Sequence, residues 1–155
     1  MSKEQVQNVH KKGSFHWYIS LNQHFFKHIT RSIMHADTDN LSALKRIFPH
    51  MVEAHSRPDW NEPPKVNFPI ELNIEKYKEE FPKKDFDYVA VDGSFLRYLY
   101  NSGHFVSSMS RAILYADEHN RSLIEREYPQ MVAAYNINEW QKAPDGFEPI
   151  YNSKI

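Results

Sequence analysis

The chain has 155 residues, of which 41% are hydrophobic, 14% aromatic and 25% charged, with 4 glycines and no cysteine. This composition supports a core built on Phe, Tyr and Trp and argues against disorder, while the absence of thiols excludes disulfides, thiolate metal sites and cysteine nucleophiles. The net charge of −1 leaves no overall nucleic-acid footprint, yet residues 1–60 hold 8 Lys/Arg against 5 Asp/Glu together with seven of the nine histidines, so this part becomes strongly cationic below about pH 6.5.

Residues 1–8 are polar and are expected to be a flexible N-terminus. Met1–Lys12 has no apolar run of the kind a signal peptide carries. No stretch approaches the ~20 apolar residues of a membrane helix, so a cytoplasmic protein with no membrane partner is expected.

From residue 9 the chain reads as two copies of one phrase. Shifting it by 80 residues aligns 9–70 with 89–150 without a gap, and 22 of the 62 aligned positions are identical. The common skeleton is G-S-F-x-x-Y, H-F, R-x-I, A-D-x-x-N, F/Y-P-x-M-V-x-A and W. Two copies are too few for an open solenoid, so two halves covering each other about a pseudo-two-fold are expected. The expected fold class is therefore all-α: helical repeat 1 (9–70), linker (71–88), helical repeat 2 (89–150) and tail (151–155), in one compact domain.

Within the first copy, Phe15, Tyr18, Ile19, Phe25, Phe26, Ile29 and Ile33 follow helical spacing, as do Phe95, Tyr98, Leu99, Phe105, Val106, Met109 and Ile113 in the second. The spacing predicts one helix of about 20 residues from near Ser14 to near His35, with Ser14 and Ser94 as N-caps. Asp37 and Asp117 suit the N-cap of a second helix, with Asn40 and Asn120 as loose capping-box partners. Pro49 and Pro129 predict a break followed by a short third helix. Trp60 and Trp140 are expected to fold the chain back. In the linker, "NEPPKVNFPIEL" predicts an extended segment, "NIEKYKEEF" a turn or two of helix capped by Asn73, and "DYVAVDGSF" a short strand.

The repeated letters that folding does not absorb are His24 with Arg31 and His104 with Arg111. On one continuous helix each pair lies opposite the apolar stripe, about 10.5 Å apart along a line bordered by Trp17, Ser20, Lys27, His28 and His35 in the first copy and by Arg97, Tyr100, Ser107 and Tyr115 in the second. Two readings compete. In one, the arginines are structural and pair with Asp37, Asp117 or backbone carbonyls. In the other, they form an anion-receptive surface with Trp17 and Tyr100, suited to phosphate, nucleic acid or an acidic protein. His24 and His28 have the i,i+4 spacing of metal ligands, but Ser108 replaces the second histidine in the other copy, so no metal or other cofactor is expected. No nucleophile elbow, phosphate loop or zinc-protease motif is present. Asp37 is explained by capping before any catalytic cluster with His24 and Arg31, so no catalytic residue is assigned.

The runs "ADTDNLSALKRIFPHMVEAH" and "ADEHNRSLIEREYPQMVAAY" resemble an A-D-x-x-N…F-P-x-x-V-x-A-Y phrase of small helical proteins from bacteriophages and mobile elements, with His55 in place of the tyrosine in the first copy. The resemblance covers about 20 residues per copy and implies no catalytic residues. It implies an accessory or counter-defence role in the host cytosol, in which a small protein binds and blocks a host component. The expected function is thus non-enzymatic binding of a protein partner. The alternatives are phosphate, nucleotide or nucleic-acid binding through the His/Arg faces, and a structural accessory subunit, with self-association left open.

Overall fold

The computed structural model describes residues 10–21, 23–64 and 90–147. The flexible N-terminus at 1–8, the helical turn in the 71–88 linker and the 151–155 tail lie outside these residues. The described residues are all-helical. The elements are α1 (Phe15–Ser20), α2 (His24–His35), α3 (Thr38–Ile47) and α4 (Pro49–Ser56), then α5 (Phe95–Leu99), α6 (His104–Tyr115), α7 (Glu118–Glu127) and α8 (Pro129–Asn136). No strand occurs among the described residues. Where the short strand is expected, the described residues form a turn, and Val91 N–H donates to the Gln141 carbonyl over 3.1 Å.

The single long helix predicted from Ser14 to His35 is two helices meeting at a corner. Leu21 turns extended (φ −62°, ψ 129°) while its N–H still reaches the Trp17 and Tyr18 carbonyls. Gln23 is extended before α2 begins. In the second half the side-chain oxygen of Asn101 accepts the Gly103 N–H over 2.7 Å, a local bond that competes with the helical ladder and turns the chain. Apolar periodicity does not register this corner, because Leu21 on the bend is itself buried. Ile19, expected on the apolar stripe, is 38% exposed.

Local chemistry sets the other boundaries. Gly13 and Gly93 adopt φ of 89° and 82°, the left-handed region that a Cβ disfavours. A Cβ on Gly93 would also stand 2.4 Å from the Phe147 ring. The following serines cap: Ser14 Oγ accepts the Trp17 N–H and Ser94 Oγ the Arg97 N–H. Asp37 and Asp117 each accept the N–H three residues on, that of Asn40 at 2.9 Å and of Asn120 at 2.7 Å. Pro49 and Pro129 occupy the first turns of α4 and α8, where a missing N–H removes no helical bond.

Each half closes with a tryptophan. Trp60 Nε1–H donates to the His55 carbonyl and Trp140 Nε1–H to the Tyr135 carbonyl, both over 2.9 Å. The indoles meet Phe15 and Phe95 edge-on, each at 4.8 Å between centroids. The backbone answers in the same way, with His16 N–H on the Trp60 carbonyl and Leu96 N–H on the Trp140 carbonyl.

The halves share one core. Among the described residues helices α2 and α6 make the most extensive contact, and α3 lies against α7. Ring contacts set the direction of the central pair: His24 at the start of α2 stacks on Tyr115 at the end of α6, and His35 at the end of α2 stacks on His104 at the start of α6, each at 4.8 Å. The pair is therefore antiparallel. Phe15, Ile29, Leu44, Phe95, Met109, Ile113 and Ile124 are fully buried around it. At roughly 1.5–3 kcal/mol for each large apolar side chain, this burial is the main force holding the halves together. Between α3 and α7, the Tyr128 hydroxyl donates to Asn40 Oδ1 over 2.9 Å and Arg46 pairs with Glu127 at 2.7 Å. Asn40, expected to reach back as a capping-box partner, instead receives a bond from the other half. The second half offers a tyrosine hydroxyl in reach, and a tyrosine buried at this depth needs a partner.

Candidate functional site: the basic face of the central helix pair

Helices α2 and α6 carry seven groups of basic type (His24, Lys27, His28, Arg31, His35, His104 and Arg111) and no Asp or Glu. Across their seam His35 stacks on His104 at 4.8 Å, and neither helix carries a carboxylate. Lys27, Arg31, His35 and His104 are exposed, while His24 and Arg111 are half-buried.

The register of the pair sets the two arginines about one turn apart. With His24 level with Tyr115 and His35 level with His104, Arg31 comes level with Ser108 and Arg111 with His28. Arg31 also lies about one helical turn from His28 on α2, and Arg111 one turn from Tyr115 on α6. The His28 and Tyr115 rings are stacked, 5.6 Å between centroids and 9° from parallel. The arginines therefore flank this stack from opposite helices.

His28 was expected on the solvent-facing line, but it is buried, 7% exposed, and among the described residues its Nδ1 has no hydrogen-bond partner. Burial holds its pKa down to about 3, reinforced by the charges of Arg111, Arg31, His24 and Lys27. Cations from both helices thus act on one imidazole, which stays neutral at physiological pH. Ser108 stands at the matching place in α6 and is equally buried, so the second copy buries a small side chain where the first buries a ring.

The remaining site residues divide. Arg111 is partly structural, its Nη1–H donating to the Leu99 carbonyl at the end of α5 over 3.0 Å. Arg31 is exposed, and among the described residues no hydrogen bond or ion pair holds it. The expectation that both arginines play the same part is therefore corrected: the corner after α5 presents a carbonyl to one, and solvent surrounds the other. Trp17, expected on the binding surface, is 3% exposed. It belongs to α1, which the corner turns away from the axis of α2, so its indole enters the core. Tyr100 ends α5, where its N–H donates to Leu96, and its ring packs on the core. Tyr115 is buried as well. Of the aromatic groups expected to stack bases, Trp17 and Tyr115 thus lie within the fold, while Tyr100 is half-buried. Asp37 serves α3 as its cap. His24 and His28 lie 6.3 Å apart as stacked rings, and among the described residues no three metal-binding side chains gather.

Fold and face together define an all-helical protein whose distinguishing feature is a carboxylate-free helix pair at its centre. Among the described residues no helix is long and apolar enough to cross a membrane. No family model, curated protein or solved structure matches the chain.

Proposed function

We propose that this protein works by binding, presenting the outer face of α2 and α6 to an acidic protein partner. One observation carries the reading: among the described residues the most extensive helix contact is made by two segments that hold every one of their charges with the same sign. Folding alone gains nothing from that arrangement, since like charges across a packed seam repel. A partner that supplies carboxylates turns the repulsion into attraction. Exposed Met34, 48% accessible, adds an apolar contact beside Lys27 and Arg31, and such mixed faces suit protein surfaces. Recognition of single-stranded nucleic acid uses exposed aromatic platforms, whereas Trp17 and Tyr115 are buried here.

The 80-residue correspondence of sequence, helix bounds, caps and tryptophan contacts supports a tandem duplication whose copies pair about a pseudo-two-fold through the middle of the α2–α6 seam. The A-D-x-x-N phrase supports an accessory role of the phage or mobile-element kind, in which binding itself modulates a host component.

The test is direct titration of the purified protein with fluorescent polyglutamate and, separately, with single- and double-stranded oligonucleotides, over a range of salt. Polyglutamate should bind with an affinity that falls as salt rises. Replacing Lys27 and Arg31 together by Gln should remove binding while the helical circular dichroism stays unchanged. Binding of oligonucleotides in preference to polyglutamate, or an interaction indifferent to both salt and the double substitution, would overturn the reading.

A further inference from the structure

We infer that the end of the α2–α6 seam where His35 and His104 meet binds one transition-metal ion of the zinc, copper(II) or nickel class, with one imidazole ligand from each half of the chain. The site does not depend on the acidic-partner reading, because nitrogen lone pairs hold the ion and the charge of the face does not.

Two helices fix the ligands. His35 ends α2 and His104 begins α6, and the two helices pack closely against each other. The ring centres stand 4.8 Å apart. With metal–nitrogen bonds of about 2.0–2.1 Å, a nitrogen about 1.1 Å from its ring centre and ligand angles of about 90–110°, two imidazoles on one ion have centres about 4.5–5.2 Å apart. The observed separation falls inside that span, so the backbones need not move. The rings lie 26° from parallel, and each must turn about its Cβ–Cγ bond to aim a nitrogen at the ion. Both side chains are exposed, which leaves room for the turn. Imidazole suits zinc, copper and nickel, whereas magnesium and calcium demand oxygens, and neither helix has a carboxylate. Water fills the remaining positions on the ion.

The other histidine contacts lack one of these features. At the opposite end of the seam the corresponding contact is His24 on Tyr115, also at 4.8 Å, where a buried phenol replaces the second imidazole. His24 and His28 stand 6.3 Å apart, beyond the span, and His28 is buried. His10 stacks on His16 at 5.4 Å, but His10 precedes α1 and no helix holds it. Because His35 and His104 come from different halves, the ion binds only the closed arrangement and stabilises it by mass action.

The test is a zinc titration of the purified chain in a non-chelating buffer at about pH 7.5, where ordinary imidazoles are neutral and able to ligate. Imidazole signals are followed by NMR, with magnesium as the control cation. The His35 and His104 signals should move together and saturate at one ion per chain, and the melting temperature should rise with zinc and return on adding a chelator. His35→Gln and His104→Gln should each weaken zinc by at least about tenfold, since losing even an outer-shell partner costs that much. Helical circular dichroism should be unchanged in both, because the replaced side chains are exposed. His16→Gln and His24→Gln should bind zinc as the parent does. The site is overturned by movement that stays linear to about 1 mM zinc, by saturation at one ion for two chains, or by an equal response to magnesium. Affinity lost in His16→Gln or His24→Gln but kept in His35→Gln also overturns it.

Discussion

Lowering the pH should loosen the grip between the two halves, and His28 permits the size of the effect to be worked out. In the folded chain its pKa is held down to about 3 by burial and by the neighbouring cations, whereas the unfolded chain presents an ordinary imidazole near 6.5. The unfolded state therefore binds the proton first. Stability from this group is complete above pH ~6.5 and falls as the pH drops towards 3. At 1.36 kcal/mol per unit, acidifying to about pH 5 removes about 2 kcal/mol, a large share of the 5–15 kcal/mol typical of a domain. The protein need not unfold there, but the loss should be measurable. Urea denaturation of the parent and of His28→Gln at about pH 7.5 and pH 5 isolates the contribution, because all carboxylates titrate alike in both chains. The glutamine variant starts lower, having lost the stack on Tyr115, and should show a pH dependence flatter by about 2 kcal/mol. Equal slopes in the two proteins, or a His28 signal that titrates near 6.5 in the folded state, would refute the argument.

The two corner caps are matched in geometry and should be matched in energy: Asp37→Ala and Asp117→Ala should each cost about 1 kcal/mol in chemical denaturation, and a large inequality would show that one corner is held mainly by other contacts. Gly93→Ala meets both the left-handed backbone and the Phe147 ring. It should destabilise by at least 1–2 kcal/mol, read as a lowered melting temperature, while a neutral result would mean that the turn relaxes freely.

The sequence by itself determined what nearest neighbours along the chain decide. Ser14, Ser94, Asp37 and Asp117 are legible as caps because an N-cap needs only a short oxygen-bearing side chain and an N–H two or three residues on. The prolines at 49 and 129 are legible as helix starts for a similarly local reason, and Trp60 and Trp140 as anchors because large indoles are seldom left in solvent. All-helical class followed from apolar spacing repeated at an interval of 80. Tertiary structure alone decided how these pieces face one another. The corner at Leu21 broke the helix on which Trp17, His24 and Arg31 were aligned, and sent the indole into the core while the guanidinium stayed in solvent. Asn40 gave up its expected local bond for the hydroxyl of Tyr128, 88 residues away. His28, which looks solvent-facing on a lone helix, became buried because α6 packs there with the Tyr115 ring stacked on the imidazole. Register between helices depends on volumes and charges brought together from distant parts of the chain, and local spacing holds no record of them; the seam where two like-charged helices meet therefore exists only once the halves have closed.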